Sequence, residues 1–100
     1  MDQTIQEKIK QRRAQMLVHS RLYYILDTNL ITDEKWQAWA NELASLQNQY
    51  PDKCKIDFFD NDFKEWTGAS GNFLPLESQY AVLNAKMLIE MNEKEEGYIG

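Results

Sequence analysis

Residues 22–36, LYYILDTNLITDEKW, constrain the fold of this chain more than any other stretch. They join two helical hydrophobic patterns through a short polar turn. Upstream, Ile5, Ile9, Met16, Tyr23 and Leu26 recur at three-, four- or seven-residue steps, which is one helical face. Val18, Leu22 and Ile25 widen that face, and the spacing predicts a helix over about 3–26. Asp27-Thr28-Asn29 is turn chemistry, because short polar side chains compete for backbone hydrogen bonds. Thr32 then offers an N-cap, with Asp33 and Glu34 in the first turn, where the helix dipole favours negative charge. Ile31 and Trp36 have the N′ and N4 spacing of a hydrophobic staple. Trp36, Trp39, Leu43, Leu46 and Tyr50 form a narrow apolar stripe, and Pro51 ends it, so a second helix is predicted over 33–49. Two long helices joined by so short a loop should pack antiparallel.

The second half of the chain is less regular. Residues 51–75 mix acids with large aromatics, and Asp60 is expected to cap a short turn that sets Phe63 and Trp66 against the core. Thr67 to Asn72 is a small-residue loop, expected to be mobile. A last helix is predicted over 76–94, with Tyr80, Leu83, Met87, Leu88 and Met91 as its apolar face, followed by a frayed, solvated tail from Glu93 to Gly97. Ile56 to Phe59 is expected to be at most an isolated extended piece, and no strand pair shows alternation. The expectation is a single all-α domain over 1–100: an antiparallel helical hairpin with a third packed helix.

Composition sets the class. An apolar content of 43% with three tryptophans argues for a folded chain. Cys54 is the single cysteine, so no internal disulfide forms, and a reduced, cytoplasmic setting is expected. No apolar run approaches the ~20 residues of a membrane span, and the N-terminus has no signal-peptide core. Charge is divided unevenly. Residues 1–21 hold five cations against two anions, a balance of +3; the remainder holds six against fourteen, a balance of −8. An acidic surface of this kind repels nucleic acid at long range and favours a protein partner with a basic surface. Asp57, Asp60, Asp62 and Glu65 are the candidate partner-binding acids. The basic patch on the first helix reads as a solvated face.

Catalytic and metal signatures fail on spacing. The acids from Asp57 onward lack the glycine and glutamate positions of a calcium loop. Gly68 to Gly71 lacks the lysine and the preceding strand of a phosphate loop. His19 and Cys54 are single residues without the three or four ligands zinc needs. Ser20, Ser45, Ser70 and Ser78 stand in no nucleophile motif. A non-enzyme without a metal is expected. Tyr23 and Tyr24, adjacent on a helix, should project about 100° apart. At most one can then point fully into the hairpin seam, leaving the other free to face a cleft or a partner. His19, one turn earlier, reads first as a packed or half-exposed helix residue and second as a hydrogen-bonding group lining the same corner.

Leu17 to Asp52 resembles the small N-terminal helical domain, Ia, of bacterial NAD-dependent DNA ligases. The typical run there is a Tyr followed by Tyr or His, an Asp after two apolar residues, then Ile-x-Asp-x-x-Tyr-Asp, a leucine-rich helix and a terminal His-Pro or Tyr-Pro. This chain reads Tyr23-Tyr24-Ile25-Leu26-Asp27, Ile31-Thr32-Asp33-Glu34-Lys35-Trp36-Gln37, Leu43, Leu46 and Tyr50-Pro51, without a gap. Trp36 stands for the family's tyrosine and Gln37 for its second aspartate. The resemblance implies a domain that closes over the nicotinamide mononucleotide half of NAD, with Tyr23, Tyr24, Asp33 and Trp36 lining the pocket. Ligase activity itself needs a Lys-x-Asp-Gly motif in a separate nucleotidyltransferase domain. Lys55-Ile56-Asp57-Phe58 lacks the glycine, and the 42 residues after it are too few for that domain.

Phe63, Trp66, Gly68, Leu74 and Pro75 are similar to a run in short ligase-related proteins of phages and prophages. That likeness implies a non-enzymatic phage accessory factor without a cofactor. Its acidic surface and the 57–66 aromatic cluster would engage, and so bind or inhibit, a basic protein of nucleic-acid metabolism or host defence, in the manner of an anti-CRISPR, because acidic patches can occupy basic grooves. The alternative is a module that binds NAD or nicotinamide mononucleotide. Dimerisation through an exposed helix face is a third expectation.

Overall fold

A computed structural model describes the backbone of residues 3–99 and the side-chain surroundings of residues 3–93. The chain is all-α: α1 (Ile5–Tyr24), α2 (Asp33–Gln49), a short 3-10 turn (Pro51–Lys53) and α3 (Gln79–Ile99), with no strand among the described residues. The predicted α2 agrees with the observed helix, and α1 starts and ends two residues inside its predicted span. The last helix begins later than predicted and its backbone stays helical past residue 94. The solvation expected of the tail side chains from Lys94 on lies outside the described residues. No described helix is long and apolar enough to cross a membrane.

Caps set the start of the hairpin helices. Thr4 Oγ1 accepts from the Glu7 amide at 3.1 Å while the Glu7 carboxylate accepts from the Thr4 amide at 2.9 Å, a capping box. The Thr4 amide and then its hydroxyl hold the Glu7 carboxyl below its ordinary range. Thr32 Oγ1 accepts from the Lys35 amide at 3.1 Å and starts α2. Between the helices, Asp27 adopts a left-handed conformation (φ 50°), which aspartate tolerates better than most residues. The Thr28 amide then turns back to Leu22 O at 2.8 Å.

The buried face of α1 is Ile9, Arg13, Met16, Leu17 and Ser20, with Val18 and Leu22 toward its end. Tyr23 and Leu26, expected on that face, are exposed. Tyr23 falls in the last turn of α1 and Leu26 beyond its end, past Leu22, the last residue of the helix that the core covers. α1 is the shared wall of the domain, with α2 on one side and α3 on another. Ala40 and Leu43 of α2, Phe63, Trp66, Leu74, Leu76 and Ala81 complete the main core around Ile9, Met16 and Leu17. A smaller cluster joins Val18 and Leu22 to Ala85.

The irregular segment 54–78 is held by side chains. Arg13, only 1% exposed, donates to Gln47 Oε1, Phe58 O, Asp60 Oδ1 and Cys54 O, four bonds between 2.7 and 2.9 Å. Asp60 does not cap the turn that follows it. Its carboxylate instead accepts from the amides of Ile56, Asp57 and Phe58 behind it. Ile56 to Phe59 is a series of bends, with Asp57 and Phe59 both at φ 55°, and not extended. Phe63 and Trp66 do reach the core, and Trp66 Nε1 donates to Ala40 O at 3.0 Å. The 67–72 loop, expected to be mobile, is fastened by Gln37 Nε2 to Gly68 O at 2.8 Å and by Tyr24 Oη to Ser70 Oγ at 3.2 Å.

Two further expectations are corrected. The buried face of α3 is Ala81 and Ala85, backed by Leu88 and Ile89, while Tyr80, Leu83, Met87 and Met91 are exposed. Small residues let α3 approach α1 closely, so its larger side chains point outward. The basic patch of α1 is also not simply solvated. Lys8 and Arg12 pair with Glu42, Arg13 with Asp60 and Arg21 with Glu77, and Lys10 lies over the Phe58 ring.

Candidate functional site

The hairpin turn closes one end of the α1–α2 seam and leaves a cavity of about 180 Å³ there. His19, Tyr23 and Tyr24 come from the last turns of α1, and Asp33, Trp36 and Gln37 from the first turn and a half of α2. Thr28 to Ile31 of the turn form the floor. The four residues carried by the ligase resemblance therefore converge on one cavity. Drug-sized ligand sites run to about 300–1,000 Å³, so this one suits a single ring better than a whole dinucleotide.

Neither Tyr23 nor Tyr24 is buried in the hairpin seam. Both are exposed, and their rings meet edge to face with centroids 4.9 Å apart. Trp36 is half-buried, tilted against Trp66 at 6.3 Å, which fixes the plane of its indole at the cavity wall. Asp33 is exposed and has no ion-pair partner among the described residues, so its charge is free at the mouth. His19 packs tilted against Trp39, with ring centroids 5.6 Å apart; burial, and then the nearby Lys35 charge, lower its pKa and keep the imidazole neutral at pH 7. Gln37 is committed to structure, donating from Nε2 to both Gly68 O and Asn41 Oδ1. An aspartate there would have no proton to give either acceptor.

The acids of the proposed partner surface are not equivalent. Asp57, Asp62 and Glu65 are exposed, whereas Asp60 is half-buried against Arg13. Burial acts to raise the Asp60 pKa, but the Arg13 bond and the three backbone amides outweigh it and hold the carboxyl below its ordinary range. A second, shallower groove of about 590 Å³ runs past Cys54, Lys55, Asn61 and Lys64 on this side of the domain. Arg13 and Asp60 at its base are spent on each other. No group of three or more metal-ligating side chains exists among the described residues.

Sequence reasoning missed Arg13, Gln47 and the turn residues Thr28 to Leu30. Arg13 was detectable in principle, because Ile9, Arg13, Met16 and Ser20 follow four-three-four steps along the core face. The turn residues carry no spacing signal; only closure of the hairpin brings them to the cavity.

The family described as "DNA ligase-like, N-terminal NAD+-binding domain" matches residues 2–58, which span α1, α2 and the 3-10 turn. A DNA ligase of Natranaerobius thermophilus is 36% identical over 52 residues, 52% of this chain and 8% of the ligase. A DNA ligase of Syntrophomonas wolfei is 31% identical over 81 residues, 80% of this chain and 12% of the ligase, so that likeness continues past the hairpin. A DNA ligase of Carboxydothermus hydrogenoformans is 34% identical over 50 residues, 50% of this chain and 8% of the ligase. The chain thus spans about a tenth of the length of these relatives. No solved structure matches it. With residues 2–58, more than half of its length, matched, the chain belongs to the DNA ligase-like, N-terminal NAD+-binding domain family.

Proposed function

We propose that the chain is a non-catalytic module that binds the nicotinamide nucleotide part of NAD at the hairpin corner. The observation that carries this reading is the convergence of Tyr23, Tyr24, Asp33 and Trp36 on one small cavity beside a neutral His19. The nicotinamide ring of oxidised NAD is cationic. Aromatic faces attract such a ring, by about 0.5–2 kcal/mol each depending on desolvation. The unpaired Asp33 carboxylate adds an opposite charge at the mouth, and the uncharged imidazole adds no repulsion. Nothing around the cavity pairs a nucleophile with a base, so the site holds a ligand and performs no transfer.

Nicotinamide mononucleotide and NAD, titrated while tryptophan fluorescence is followed, test this. A saturable change is expected, because Trp36 forms a wall of the cavity. Asp33→Ala should weaken binding by about tenfold, the equivalent of roughly 1.4 kcal/mol. No saturation at millimolar ligand would sink the reading.

The interaction reading, in which a phage accessory factor occupies a basic groove of a nucleic-acid or defence protein, is left chiefly with surface charge, since Phe63 and Trp66 of the 57–66 aromatic cluster are buried. With Asp60 turned inward, it has Asp57, Asp62 and Glu65 to work with. Charge reversal at those three positions should abolish capture of such a partner while leaving nucleotide binding intact.

A further inference from the structure

α3 is apolar on two opposite faces. One faces inward through the fully buried Ala81 and Ala85. The other carries Tyr80, Leu83, Met87 and Met91, which are 36%, 50%, 57% and 56% exposed. At about 100° per residue, these four lie within about 40° of one another's mean direction, and Ala85 lies nearly opposite. The strip is about 16 Å long at 1.5 Å per residue. It continues at its N-terminal end into Phe58 and Phe59, whose rings meet Tyr80 at 5.1 and 6.0 Å. Single exposed apolar residues are ordinary, whereas a contiguous row rimmed by polar groups marks an interaction surface.

The charges beside the strip indicate its occupant. Residues 79–92 contain one cation, Lys86, and one anion, Glu90, in a chain that is otherwise strongly acidic. The two sit one turn apart on the same flank of the strip. Neither has an ion-pair partner among the described residues. The opposite flank is uncharged, with Asn84 bonded to Tyr80 O at 2.8 Å. A two-fold axis perpendicular to paired antiparallel helices carries each flank onto itself and reverses its direction. Lys86 of one copy then faces Glu90 of the other, and Glu90 faces Lys86, while Leu83, Met87 and Met91 fill the seam. A partner of single-sign charge would gain from one of these residues and lose from the other. A second copy satisfies both.

We propose that α3 is a self-association face, on which a second copy of this chain docks antiparallel across Leu83, Met87 and Met91 with reciprocal Lys86–Glu90 ion pairs. The strip is small against the ~1,600 Å² of a standard stable interface, so the equilibrium lies in the micromolar range or weaker. It is distinct from the hairpin corner, and it holds whether or not the nucleotide reading does.

Sedimentation equilibrium of the full chain, from micromolar to millimolar concentration, tests this. The expected result is a monomer–dimer equilibrium. Met87→Glu, at an exposed position, should be monomeric with an unchanged helical circular dichroism spectrum. Lys86→Glu should weaken the dimer by about tenfold or more, since it sets like charges face to face. The double variant Lys86→Glu/Glu90→Lys should restore the original affinity. A chain that stays monomeric throughout overturns the proposal. So does a dimer that survives Met87→Glu, or a double variant no tighter than the single one.

Discussion

Arg13 donates from Nη1 to Oδ1 of Asp60 across 2.7 Å, joining the middle of α1 to a residue 47 positions downstream. Because the same guanidinium also serves Gln47, Phe58 O and Cys54 O, its removal strands several acceptors together. Arg13→Met should destabilise the domain by about 3 kcal/mol or more, as breaking a buried ion pair from one side does. Thermal denaturation should show a midpoint lower by more than about 12 °C. A shift of only a degree or two would mean that the network is dispensable.

Gly71 presses on Ser20. A Cβ built on the glycine would lie 2.2 Å from Ser20 Oγ and 3.0 Å from Ser20 Cβ. Gly71→Ala should therefore cost about 1–3 kcal/mol through overpacking. Ser20 Oγ is buried without a hydrogen-bond partner, so Ser20→Ala alone should be nearly neutral. Added to Gly71→Ala it removes the worst contact, and the double variant should recover part of the lost melting temperature. Additive losses would contradict the packing described.

Gln37→Asp restores the acid typical of the ligase motif, yet it removes the donor to Gly68 O and Asn41 Oδ1. The expected outcome is a loss of about 1–2 kcal/mol, from two acceptors left facing a carboxylate. Hydrogen exchange at Gly68 to Ser70 should accelerate. A variant that gains nucleotide affinity with no change in that loop would show that Gln37 is free of it.

His19 makes stability depend on pH. Its folded pKa lies below the ordinary 6.5, because burial and then Lys35 disfavour the imidazolium. As pH falls, the unfolded chain takes up the proton first, so stability holds above about 6.5 and is lost as pH drops below it. Melting temperatures between about pH 8 and pH 5 should decline for the parent chain and flatten for His19→Gln in this range. Asp60 acts lower on the scale. Its depressed pKa gives stability that is present above 3.8 and lost as pH falls through the folded value. A decline near pH 6 that persists in His19→Gln would assign it elsewhere.

The hairpin was legible because its signals are local. Thr32 caps α2 and Pro51 follows its end, each within one turn of the helix it sets. Tyr23, Tyr24, Asp33 and Trp36 were named by the ligase resemblance, and the capped hairpin brings them to one cavity. α3 was misread because burial was assigned by side-chain size, whereas the contact with α1 depends on Ala81 and Ala85 being small. Arg13 was missed because a charge in a core is acceptable only with partners, and those lie 34 to 47 residues away. Asp60 was assigned the wrong direction, since a carboxylate can accept from amides before it as readily as from those after it.

One carboxylate accepts the amides of Ile56, Asp57 and Phe58, and a buried guanidinium holds that carboxylate in turn. Residues 54–60 have no helix or strand of their own, so bends like these would ordinarily exchange their amide protons with solvent through small local openings. Here such an opening must first release Arg13 from the interior of α1. The slow-exchanging core should therefore extend into this loop, whose amides open with the whole domain and not ahead of it.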